Sequence, residues 1–254
     1  MDVRVVEAGR GWRWIVEGFA LFRKNPLMWV VLVSILFVAL KVLLRVPLLG
    51  LIAILLLPIF LVGLMEGCKA LERGDPLQIG YLLSGFRKNA APLITLGGIS
   101  LVGNLLIVMI IAAIGGEAMM TMMKFAAQPA ATVTPEAAQS VREAVSKATI
   151  ATVVGTALSL PLMMALWFAP LLVHFNDMKP LTAIRYSFWA CWKNVVPFLI
   201  YGLVALVALI VVMPIGMATG QVDLGLWILA PIIIPTVYTS YKDLFSEGRT
   251  PAAE

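Results

Sequence analysis

Charge is scarce in this chain. Of its 254 residues 13% are Asp, Glu, Lys or Arg, where a globular domain carries roughly 25%. With a hydrophobic content of 61% and a mean hydropathy of +0.97, that scarcity excludes an ordinary soluble fold. Histidine is scarcer still: His174 stands alone, so a site built from several imidazoles is excluded. The two cysteines, Cys68 and Cys191, fall far apart, near helix ends expected to face the reducing cytoplasm, and neither a disulfide nor a metal site is expected from them. Ser159, Ser187 and Ser240 lie in no nucleophile motif, and an enzyme needs a nucleophile, a base or a metal in fixed geometry. These shortages point to a non-enzymatic protein with no cofactor.

What is abundant is long apolar sequence. A spanning helix takes about 20 mostly apolar residues, because the hydrocarbon core is about 30 Å thick and each residue rises about 1.5 Å. Such runs occur near 27–45, 48–67, 92–115, 150–174, 196–217 and 223–241. The first two nearly touch, and Val46-Pro47 with Gly50 between them predicts a tight hairpin rather than one long helix. Residues 1–26 hold Arg4, Glu7, Arg10, Arg13, Glu17, Arg23 and Lys24 before any long apolar run, with no small-residue cleavage pattern. The first span is therefore expected to be retained as an anchor.

With the amino terminus inside, fourteen of the nineteen Lys and Arg fall on the cytoplasmic side. The other five, Lys41, Arg45, Lys124, Arg142 and Lys147, fall outside. The positive-inside rule then predicts a multi-pass bacterial inner (plasma) membrane protein with both termini cytoplasmic and residues 117–149 extracytoplasmic. The net charge of +5 is spread over short segments beside spans, which suits anionic headgroups and not nucleic acid.

A pattern occurs three times. Phe22-Arg23-Lys24-Asn25-Pro26, Phe86-Arg87-Lys88-Asn89-Ala90-Ala91-Pro92 and Trp192-Lys193-Asn194-Val195-Val196-Pro197 each run through Lys-Asn to Pro directly before a span. Nine lysines and five asparagines would meet by chance in about 0.2 Lys-Asn pairs, so three mark an internal repeat. Pro58 and Glu66, Pro170 and Asp177, and Pro235 and Asp243 recur near the inner ends of the even-numbered spans. The expected fold is an all-α membrane protein. Its single polytopic domain of about six transmembrane helices forms three tandem hairpins, with repeat units about 11–75, 76–178 and 179–245, each introduced by a cytoplasmic amphipathic interfacial helix.

In the first of these lead-in segments Trp12, Ile15, Phe19 and Phe22 share a face opposite Arg13, Glu17, Ala20 and Lys24. In the third, Leu181, Ile184, Phe188 and Cys191 oppose Thr182, Arg185 and Trp189. Aromatic and basic residues so arranged suit a helix lying on the membrane. The expected anchors to lipid headgroups are Trp12, Arg13, Arg23, Lys24, Asn25, Arg87, Lys88, Asn89, Arg185, Lys193 and Asn194. Asn also ends or caps a helix at such a turn.

A basic amphipathic helix ending in Phe-Arg-Lys-Asn-Pro, followed by a hairpin, resembles uncharacterised six-span inner-membrane proteins of Gram-negative bacteria. More distantly it is similar to the membrane domain attached to some bacterial glycerophosphodiester phosphodiesterases. The likeness is one of topology, excludes residues 117–149, and carries over no catalytic residue.

Two further groups bear on chemistry. His174, Asn176 and Asp177 form a candidate polar cluster at the inner end of the fourth span, readable as a site or as a helix finish. Met119, Met120, Met122 and Met123 offer soft ligands for Cu(I) or apolar interfacial surface. Thr134-Pro135-Glu136 predicts a short helix over 135–148. The function expected is scaffolding, assembly or envelope maintenance, with membrane lipids and a membrane protein or a second copy of the chain as partners. The alternative is a transporter or channel for a small or amphiphilic solute.

Overall fold

In the computed structural model, residues 3–126, 135–221 and 223–245 are described. They form ten α-helices, and among them there is no strand. Six helical stretches are long and apolar enough to cross a membrane: Pro26–Leu44, Pro47–Arg73, Ala90–Ala126, Gln139–Asn176, Val195–Ala218 and Leu224–Phe245. The expected all-α membrane fold is the observed one.

The recurring Lys-Asn-Pro is a helix stop joined to a helix start. Helix α1 (Arg10–Lys24) ends with Arg23 and Lys24 in its last turn, where cations favour the negative end of the helix dipole. Asn25 Oδ1 then accepts the Met28 N–H at 3.2 Å, and Pro26 occupies the first turn of α2 (Pro26–Leu44). Helix α3 (Pro47–Arg73) follows after the tight turn at Arg45-Val46 and contains Pro58. It ends at Gly74, whose φ of +88° needs a residue without Cβ.

The second lead-in is shorter than the other two. A 3-10 turn over Ile79–Leu83 and the four-residue α4 (Ser84–Arg87) replace a continuous helix. Asn89 turns the chain in the left-handed region at φ 60°, which Asn tolerates, before α5 (Ala90–Ala126).

Helix α6 (Pro135–Trp167) breaks at Phe168 and resumes as α7 (Ala169–Asn176). Ser187 Oγ is inserted at the break: it accepts the Phe168 N–H at 2.9 Å and donates to Met164 C=O at 2.7 Å. It thereby bridges the pair that an unbroken helix would join directly. Helix α8 (Pro180–Lys193), the third lead-in, ends at Asn194, which leads into α9 (Val195–Ala218); α10 (Leu224–Phe245) closes the described chain.

The described chain divides into two compact units, residues 1–98 with 164–254, and 99–163. The first holds a core that includes Trp14, Trp29, Leu64, Phe168 and Leu172. In it α4 packs on α3, α8 on α7 and α1 on α10. Each lead-in thus seats on the span that closes the preceding repeat, and the first seats on the last. Contact between α1 and its neighbours is close because glycine faces them. A Cβ on Gly11 would stand 2.1 Å from Pro197 O, and one on Gly18 2.5 Å from Thr236 Cγ2.

In the second unit α5 and α6 meet through small residues: a Cβ on Gly115 would lie 2.8 Å from that of Ala151. The segment 117–149, expected to be an extracytoplasmic loop with a helix over 135–148, is helical wherever it is described, since α5 runs to Ala126 and α6 starts at Pro135. The helix expected over 135–148 is present but continues into the fourth span, and its expected cap, Thr134, lies outside the described residues.

Candidate functional site

The lead-in end of the first unit gathers the side chains that the sequence singled out. Asp243 of α10 accepts Arg10 Nε at 2.6 Å and the Trp14 indole N–H at 2.8 Å, while Glu17 lies 3.3 Å from Arg10. Burial by itself would lower the Arg10 pKa, but the hydrogen bond and charge of Asp243 outweigh it, and the value is raised. Thr239 Oγ1 donates to Trp14 C=O at 2.9 Å, so a fully buried Trp14 is held at both its ring and its backbone. Between α3 and α10, Tyr238 OH donates to Glu72 at 3.0 Å, and Lys242 pairs with the same carboxylate.

Each Lys-Asn pair reaches the carboxyl-terminal turn of the second span in its own repeat. Lys24 Nζ donates to Leu71 C=O of α3 at 2.7 Å. Asn89 Nδ2 donates to Val173 C=O of α7 and to Asp177, both at 2.9 Å, and Lys88 lies 3.0 Å from both Asp177 oxygens. Asn194 works through a peptide: its Nδ2 donates to Arg4 C=O at 2.9 Å, its Oδ1 accepts the Val6 N–H at 2.9 Å, and Arg4 N–H donates to Leu244 C=O of α10. Last-turn carbonyls lack intrahelical donors, which is why a Lys or Asn seated there stabilises the helix end.

The asparagine side chains thus take protein partners: Asn25 its own helix, Asn89 the end of α7, and Asn194 the Arg4–Val6 segment. Asn194, at 1% exposure, is the clearest case. Lys24 and Lys88 are also committed to protein partners. Trp12, Arg13, Arg23, Arg87, Arg185 and Lys193 are exposed. Trp12, Trp189 and Trp192 are 53%, 52% and 58% exposed, whereas Cys191, read as part of the lipid stripe of α8, is buried. Burial pushes its thiol pKa up to about 12.

The residues His174, Asn176 and Asp177 do not form one cluster. His174 Nε2 lies 2.9 Å from Glu66, Asn176 accepts Tyr241 OH at 2.5 Å, and Asp177 takes Lys88 and Asn89. Asp177 is the C-cap of α7, in the left-handed region at φ 51°, where the helix stops. Asp177 is held below the ordinary carboxylate pKa by its hydrogen bonds from Asn89 and then Lys88. Met119, Met120 and Met123 lie exposed along α5. Among the described residues no group of three or more His, Cys, Asp and Glu is placed to hold a metal ion.

Sequence reasoning missed Trp14, Asp243, Glu72 and Glu66 as partners. The one local signal was the run Thr236 to Asp243, too polar for the interior of a span.

Chemically this end is a collar. Polar groups facing inward lock the lead-ins to the spans, and outward it presents indoles and cations, the side chains that suit the boundary between acyl chains and phosphates.

No family model matches the chain, and no solved structure does. It is similar to a probable inner membrane protein of Burkholderia thailandensis, with 32% identity over 208 residues covering 80% of this chain and 74% of that protein.

Proposed function

Given that the chain belongs to the family of that Burkholderia inner membrane protein, we propose that it is a non-catalytic platform on the inner leaflet, serving assembly, scaffolding or envelope maintenance. It is an integral inner-membrane protein. Both termini and the three lead-ins lie on the cytoplasmic side in this reading, and anionic lipid, with a membrane protein or a second copy seated on it, is the partner.

The observation that carries the reading is the division of labour within the collar. Asp243, Asn89 and Asn194 spend their polarity on holding the lead-ins to the spans. Arg13, Arg185, Lys193 and the indoles of Trp12, Trp189 and Trp192 are left facing outward. A basic residue near an anionic surface contributes about 1 kcal/mol, so three should contribute about 3 kcal/mol before screening.

The test is retention of phosphatidylglycerol by the purified protein in native mass spectrometry. Replacing Arg13, Arg185 and Lys193 with Gln should lower the number of lipids retained, with the affinity of the lead-in end falling roughly a hundredfold. Undiminished retention, with the fold intact by circular dichroism, would refute the platform.

A further inference from the structure

A second feature lies between α2, α3 and α10. A cleft of about 220 Å³ is lined by Val33 and Phe37 of α2, Leu57, Leu61 and Leu64 of α3, and Ile234 of α10. Val33 and Leu64 are buried at its floor, whereas Leu57 is exposed at its mouth. Pro58 adjoins Leu57 and Pro235 adjoins Ile234. Proline removes a helical hydrogen bond and bends the helix, which opens space between neighbours. All lining side chains are apolar, so the cleft suits hydrocarbon and not a polar solute.

The cleft leads to a polar end. Val33, Phe37 and Lys41 follow at intervals of four on α2 and so lie in line, with Lys41 about 12 Å along the axis from Val33. Phe37 stacks on Trp227, with ring centroids 6.0 Å apart. Lys41 Nζ lies 5.2 Å from the centroid of the same indole and 2.6 Å from Asp223. The indole N–H of Trp227 is itself buried and has no hydrogen-bond partner among the described residues. Lys41 and Arg45 oppose the single carboxylate of Asp223 in residues 38–57 and 205–230, which leaves this end one positive charge in excess.

Taken in order, the parts are an apolar cleft, a stacked aromatic pair and an excess cation. A phospholipid has the matching order of acyl chain, glycerol boundary and phosphate. We propose that this is a binding site for an anionic phospholipid, with one chain in the cleft and the phosphate at the end that carries Lys41 and Arg45. The site lies at the opposite ends of α2 and α10 from the collar, uses none of its residues, and stands or falls separately from the platform.

The test uses the full-length protein in phosphatidylcholine vesicles containing a trace of phosphatidylglycerol with a photoactivatable diazirine at mid-chain. After illumination, adducts are mapped by peptide mass spectrometry. They should concentrate on the peptides holding Leu57, Leu61 and Ile234, and unlabelled phosphatidylglycerol should compete them away where added phosphatidylcholine does not. Lys41→Gln should weaken capture by about fivefold, the effect of one interfacial cation. Leu61→Trp, which fills the cleft, should abolish it. If that variant misfolds, the exposed Lys41 still provides the test. Adducts spread evenly over the lipid-facing Leu199, Leu203 and Leu206 of α9 would overturn the proposal. Equal competition by phosphatidylcholine, with no effect of Lys41→Gln, would overturn it as well.

Discussion

Replacing Asp243 tests how the first lead-in is held. Its carboxylate is 13% exposed and accepts from both Arg10 and Trp14. Asp243→Ala removes a charge-assisted hydrogen bond, worth about 1.5–3 kcal/mol, and strands the Trp14 N–H at a cost of about 1–3 kcal/mol. Arg10 is 24% exposed and keeps Glu17 within 3.3 Å, so it loses only part of its stabilisation. A net loss of about 3 kcal/mol follows, below the full cost of breaking a buried pair. For a chain of this size that corresponds to a fall in Tm of roughly 6–12 °C. Trp14→Phe, which keeps the ring and removes one donor, should cost about 1 kcal/mol. Thermal unfolding in detergent, followed by intrinsic fluorescence and circular dichroism, measures both. In the double variant Trp14→Phe/Asp243→Ala the two losses should not add, because they share one hydrogen bond. Full additivity, or an Asp243→Ala protein melting with the wild type, would refute the reasoning.

Ser187→Ala should lower stability by about 1–3 kcal/mol, because Phe168 N–H and Met164 C=O both lose the hydroxyl that joins them; an unchanged Tm would contradict the bridge. The Asp177 clasp should respond to acid. Its folded pKa lies below the ordinary 3.8, so its stabilisation is fully present above that value and fades as pH falls through the depressed one. Comparing Tm of the wild type and Asp177→Asn across that range checks the sign, and a difference that fades instead on raising the pH would be wrong for this geometry. Cys191, buried and with its thiol pKa raised to about 12, should resist maleimide at neutral pH until the protein is unfolded; rapid labelling of the folded protein would show α8 to be seated otherwise.

How much of this was legible in the sequence depends on the distance between partners. The spans were legible because apolar length alone specifies them. The Lys-Asn-Pro repeat was legible because a stop and a start of helix are written in adjacent residues. The side-chain partners were not: Trp14 and Asp243 lie 229 positions apart, and His174 and Glu66 lie 108 apart, and nothing local in either half announces the other.

The packing face of α1 was hidden for a different reason. Gly11 and Gly18 flank Trp14 on its buried side and read as gaps in an apolar stripe, yet it is the missing Cβ that lets α10 and Pro197 approach. Of the stripe that was read, Trp12 and Phe19 are exposed, whereas Ile15 and Phe22 are half-buried against the core. Helix α5 outruns the expected span of 92–115 and reaches Ala126, because apolar length sets the membrane crossing and not where a helix stops.

The platform requires the lead-in end to face the cytoplasm, and site-directed labelling of intact cells with a membrane-impermeant maleimide tests that most directly. Cys68 and Cys191 are buried, so the background is low. Glu7 and Gln139 are exposed at sites suited to substitution. Gln139→Cys should label in intact cells, and Glu7→Cys only after the membrane is permeabilised. Labelling of Glu7→Cys from outside, with Gln139→Cys protected, would invert the topology and remove the platform from the inner leaflet.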